Sequence, residues 1–183
     1  MADITAVTDH LATAPGVVFD VRDRPNGNHL VLSHLLTTPD DAGAWFAVPQ
    51  VIRPSTASKP ASWKTDGWNL PTALPHIGGR VAFLTGPRAV SHPESVMSVV
   101  EHYKLGAIVG AATAGTNGDV ADIFMPTGCD MYMTGRLATK LDGSRFHLIG
   151  IQPTIPAPRT IAGVTAGRDE VLEKALEYVH ASR

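Results

Sequence analysis

The sequence predicts an α/β fold, and three observations carry that prediction. Short, nearly unbroken apolar runs recur at Val17–Val21, Val81–Thr85 and Ala107–Gly110, each of strand length. Between the last two lies a stretch, 93–104, in which Val96, Val99, Val100 and Tyr103 repeat at helical spacing. Turns dense in Gly, Pro and Asn follow the first two strands. Strands alternating with helices in this way close into a largely parallel sheet.

The elements follow in order. Ile4, Val7 and Leu11 predict a helix over 3–13, with Asp3 as a cap and Ala14-Pro15-Gly16 as the stop. The first strand then runs into the turn Arg22–Asn28. Leu30, Leu32, Leu35 and Leu36 predict a helix ending near Thr38, and 44–52 reads as a strand. Residues 53–78 hold many of the prolines together with Trp63 and Trp68, and read as an excursion with little regular structure. After the helix over 93–104 and its strand comes a Gly/Thr/Asn turn, then strands at 120–126 and 129–139. Val171, Leu172, Ala175, Leu176 and Val179 line one face of a final helix over 168–182.

Composition narrows the function classes. The chain has 183 residues, enough for one domain with a real core, and 44% are apolar. Lys plus Arg (15) nearly balance Asp plus Glu (17), so the charge offers no footprint for nucleic acid. No run of about 18 apolar residues predicts a membrane span, and the N-terminus lacks the basic start and apolar run of a signal peptide. Cys129 is the only cysteine, which excludes an internal disulfide or a cysteine-rich zinc site. No HExxH or close His/Cys cluster appears, and no glycine loop ends in Gly-Lys-Ser/Thr, so neither a metal nor a phosphate cofactor is expected.

In α/β folds reacting groups sit where loops leave the carboxyl ends of strands. Two loops qualify, 22–28 and 86–91. The second ends in Ser91-His92-Pro93-Glu94, and Pro93 and Glu94 are helix-start residues. A serine there is commonly just an N-cap. It also sits where backbone N–H groups and the helix dipole favour a developing negative charge. Its hydroxyl could attack a carbonyl, with the His92 N–H and an N–H from Gly27 in the first loop as the oxyanion hole.

These residues resemble the C-terminal processing, or tail-specific, peptidases, whose core is shared with the tricorn protease. The family shows a strand leading into D-L-R-x-N-P-G-G, here Asp20-Val21-Arg22-Asp23-Arg24-Pro25-Asn26-Gly27. Its S-A-S-E reads Ser91-His92-Pro93-Glu94. Its V-G-E-x-T-x-G reads Val109-Gly110-Ala111-Ala112-Thr113-Ala114-Gly115, and its G-I-E-P-D reads Gly150-Ile151-Gln152-Pro153-Thr154. The resemblance spans roughly 4–180. It implies a crotonase-like sheet-and-helix core, acyl transfer through Ser91, and a peptide or protein substrate without a cofactor.

The departures concern the base. The family's dyad lysine would fall twenty-five residues after the serine, where Thr116 stands. The tricorn-like branch uses a histidine from sequence upstream of the first strand here, and a glutamate after the nucleophile. No glutamate lies between Glu101 and Glu170, and the family's PDZ insert has no counterpart. The expectation is therefore one catalytic-core domain over 1–183, minimal or part of a larger protein, with a missing upstream domain or a homo-oligomer as possible partner. Residues left as base or support are His29, His147, Thr116 and Glu94. A catalytically impaired peptide-binding module of the same fold is the rival reading. The compartment stays open, although members of the family are often extracytoplasmic.

Overall fold

The computed structural model describes residues 4–25, 28–43, 45–50 and 62–181. Its centre is a four-stranded parallel sheet ordered β1-β4-β5-β9, built from β1 (Gly16–Asp20), β4 (Arg80–Thr85), β5 (Ala107–Gly110) and β9 (Ile155–Pro156). Val17 pairs with Val81, and Phe83 with Ile108. The strands read as apolar runs because the sheet is covered on both faces. Alternation along β4 shows it. Val81 and Phe83 face the large core with Val96, Val99 and Val100 of α2 (His92–Tyr103). Ala82 and Leu84 face Val171, Ala175 and Val179 of α4 (Glu170–His180). Both helices bury most of the stripes that their spacing predicts, although Leu176 of α4 is exposed.

Helix α1 (Ile4–Thr13) precedes the sheet. A second, antiparallel sheet is ordered β3-β2-β8, from β2 (Phe46–Gln50), β3 (Ser62–Asp66) and β8 (Leu137–Ala138). Strands β6 (Val120–Phe124) and β7 (Asp130–Thr134) form a separate hairpin that is largely exposed on both faces. A short helix α3 (Ile161–Thr165), capped by Thr160, leads into α4.

Three expectations need correction. The leucine run does not make an α-helix to Thr38 but a tighter 3₁₀ helix over Asn28–His34. Val31 and Leu32 reach the core from within it and Leu35 and Leu36 from just beyond its end, while Leu30 stays exposed. The excursion over 53–78 contains β3, which pairs Lys64 with Val48 through the main chain. Its sequence, SWKTD, is too polar to announce an edge strand. The reading of 129–139 as one strand also gives way, because Gly135-Arg136 breaks it into β7 and β8.

Candidate active site

Ser91 stands between the loop after β4 and the first turn of α2, with φ 66° and ψ −111°. A non-glycine residue at positive φ costs on the order of 1–3 kcal/mol and persists only where its surroundings enforce it. The enforcement is visible. The Ser91 N–H donates to Glu94 Oε2 at 3.0 Å. The Ser91 carbonyl accepts from the Glu94 and Ser95 N–H groups at 2.8 and 3.1 Å. The Ala114 N–H, from the neighbouring segment, reaches the Ala89 carbonyl at 3.2 Å. Ser91 and Glu94 form a capping box in which the Glu94 side chain reaches back to the Ser91 N–H. Among the described residues nothing claims the His92 N–H, and Pro93 has none to offer. A half-buried hydroxyl thus lies beside an open backbone donor at a helix N-terminus.

Glu94 is fully buried and is the hub of the site. Its Oε1 accepts from Thr113 Oγ1 at 2.8 Å and the Gly115 N–H at 2.6 Å. Its Oε2 accepts from the Ser91 and Thr116 N–H groups and from Thr116 Oγ1 at 3.3 Å. Thr113 Oγ1 in turn accepts the Ile151 N–H at 2.9 Å. Two motifs distant in sequence meet at one carboxyl group, and a third joins them through Thr113. Gly115 and Gly150, both at positive φ, make the convergence possible, since a Cβ on Gly115 would meet the Gly150 and Ile149 nitrogens at 3.0 Å.

Beside Ser91 three rings gather. His29 stacks on Trp68 with centroids 4.4 Å apart, and His92 meets both, at 5.5 and 5.4 Å. Trp45, buried in the core, backs Trp68 at 5.4 Å. Burial, then the neighbouring His29 and Arg24, lower the His92 pKa below that of a free imidazole.

Of the remaining predicted residues, His147 is exposed on the turn before Gly150, its carbonyl accepting from Arg145 Nε. Thr116, where the resemblance places the dyad lysine, is bound to Glu94 through its hydroxyl and its N–H. Gly27 lies outside the described residues, as does the side chain of Trp63. The first loop is nonetheless anchored on its near side. Arg22 bridges Asp20 at 2.6 Å and Asp169, the cap of α4, at 2.8 Å. The Arg22 contact holds the Asp20 carboxyl below its ordinary pKa. Burial would raise Asp169, but the Leu172 N–H and Arg22 outweigh it, and its pKa also falls.

Sequence reasoning missed two features. It treated Glu94 mainly as a charge suited to a helix start, although the S-x-x-E spacing was the available signal. It did not join Trp68 to His29 and His92, and no spacing in the chain could have done so.

A parallel α/β core whose central strand leads through a strained serine into a buried helix has the architecture of a hydrolase. The chain belongs to peptidase family S41, whose family model matches residues 2–157. Among solved structures, a protein of Parabacteroides merdae described provisionally as a peptidase superposes with a TM-score of 0.78 at 18% identity, over 97% of this chain and 56% of that one. Mature CPAF gives 0.69 at 14% identity, over 94% and 44%. The photosystem II D1 C-terminal processing protease gives 0.58 at 14%, over 98% and 42%. The chain therefore spans about half the length of these structures. No curated protein sequence matches it significantly. Among the described residues no helix is long and apolar enough to cross a membrane.

Proposed function

We propose that this chain is the catalytic core of a serine peptidase acting on peptide or protein substrates by acyl transfer through Ser91. One observation carries the reading: Ser91 is held at positive φ at the mouth of α2, beside a His92 N–H that no described residue claims. Ser91 Oγ attacks the substrate carbonyl, and the oxyanion is received by the His92 N–H, with Gly27 of the first loop as the second donor. The Ser91 proton passes to an imidazole and then to the leaving amine. Water hydrolyses the acyl-enzyme and releases a carboxylate.

The base is assigned to His29. Glu94 is excluded from that role because five donors already occupy its two oxygens. Thr116 has no basic nitrogen, and His147 belongs to an exposed turn. His29 is anchored by Trp68 in the ring cluster that includes the residue next to Ser91. Stoichiometric labelling of Ser91 by a fluorophosphonate probe, abolished in Ser91→Ala and slowed in His29→Ala, is the expected result. A Ser91→Ala variant that hydrolyses a nitrophenyl ester at the parent's rate would overturn it.

A second reading rests on Thr116 at the lysine position. Among the described residues no side chain hydrogen-bonds to the Ser91 hydroxyl. Either the base arrives from a second copy of the chain or from a further domain, or the cleft binds peptides without cleaving them. Specific activity that rises with protein concentration indicates an assembled site. Peptide binding with no probe labelling at any concentration indicates the binding module.

A further inference from the structure

On the α4 side of the nucleophile loop, the carboxyl ends of β1, β4, β5 and β9 surround a cavity of about 600 Å³. That is a volume proper to a small-molecule site. Its lining reaches Arg88, three residues short of Ser91. The walls nearest the sheet are apolar: Ala157 and Val171 are buried, with Pro87 and Pro158 beside them. The charged lining is four arginines against two aspartates. Arg22 is committed to Asp20 and Asp169, and Arg88 to Asp23 at 2.7 Å. Arg24 and Arg159 make no ion pair among the described residues.

Two cations without an ion-pair partner and the apolar walls specify one ligand chemistry.

We propose that this cavity binds a carboxylate carrying an apolar body, separately from the Ser91 site and whether or not Ser91 acts as a nucleophile. The carboxylate is met by Arg24 and Arg159. The apolar body lies against Val171, Ala157 and the prolines. A free aliphatic acid and the C-terminus of a peptide share this chemistry.

The test is calorimetric titration of the whole chain at low ionic strength with octanoate and octanamide, and with N-acetyl-Ala-Leu and its C-terminal amide. Saturable one-to-one binding of octanoate is expected, with octanamide at least about tenfold weaker because it lacks the charge. Arg159→Ala should weaken octanoate about five- to tenfold, since a charged hydrogen bond is removed. Arg24→Ala should weaken it by a similar factor. The dipeptide acid binding beside octanoate makes the site one for peptide C-termini, whereas octanoate alone makes it one for free acids. The proposal is overturned if octanoate does not saturate below about 10 mM, if the amides bind as tightly as the acids, or if both variants bind like the parent.

Discussion

Glu94 Oε2 accepts the Ser91 N–H at 3.0 Å, so the buried carboxyl group of α2 holds the strained serine by its own backbone. Replacing Glu94 with Gln turns one acceptor into an NH₂ group facing donors. Hydrogen bonds to a buried acid contribute about 1.5–3 kcal/mol each, and the repulsion adds to the loss. We expect Glu94→Gln to lose at least about 3 kcal/mol in urea unfolding and to label at Ser91 at least tenfold more slowly. Parental stability in this variant would mean that the hub is not what maintains the serine turn.

Thr113 extends the same network to a third segment. Its hydroxyl donates to Glu94 Oε1 and accepts the Ile151 N–H, and the residue is buried. Thr113→Ala leaves the Ile151 N–H unsatisfied and takes one of two donors from Glu94 Oε1, and should cost about 2–4 kcal/mol. Thr113→Ser keeps the hydroxyl and should recover most of it. If Ser and Ala variants unfold at the same urea concentration, the Thr113 methyl packs and its hydroxyl does not matter.

The parallel core was legible because its strands are fully buried and its helices carry one-sided stripes. Val81–Thr85 and Val96–Val100 announce themselves by burial alone. The site was legible only in its parts. Ser91, Thr113, Gly115 and Gly150 could each be marked from sequence, but not the network that joins them, in which Glu94 holds Ser91, Thr113 and Gly115, and Thr113 in turn holds the segment at Gly150 and Ile151. Strand β3 stayed hidden for a different reason. It is held by backbone pairing to β2, which a polar sequence does not advertise.

His92 supplies a pH dependence with a definite sign. Its folded pKa lies below its unfolded value near 6.5, through burial first and then His29 and Arg24. The unfolded chain therefore binds the proton more readily, and the contribution is present above about pH 6.5 and lost as pH falls through the folded value. The His92 ring resonances should titrate below pH 6.5. Arg24→Ala should move that midpoint upward by removing a repelling charge. A midpoint that Arg24→Ala leaves in place would show that burial and His29 account for the whole shift.

Arg22 ties the first loop to α4 through Asp20 and Asp169, which makes the loop's position depend on one guanidinium. The ion pairs are partly exposed, so Arg22→Ala should cost about 1 kcal/mol or less in stability at moderate salt. Its effect on catalysis should be larger. The same loop runs on to Gly27, the proposed second oxyanion donor, and loss of one such donor lowers kcat about 10²-fold or more. Arg22→Lys keeps the charge but cannot present the fork that reaches both carboxylates, and it should rescue stability better than turnover. Both Asp20 and Asp169 have depressed pKa values, so the anchor's contribution is present above about pH 4 and fades as pH falls through the folded values. Ester hydrolysis by parent, Ala and Lys variants, measured beside their urea midpoints, separates the two effects. Turnover that falls only in proportion to stability would show that the Arg22 bridge supports the fold and not the oxyanion loop.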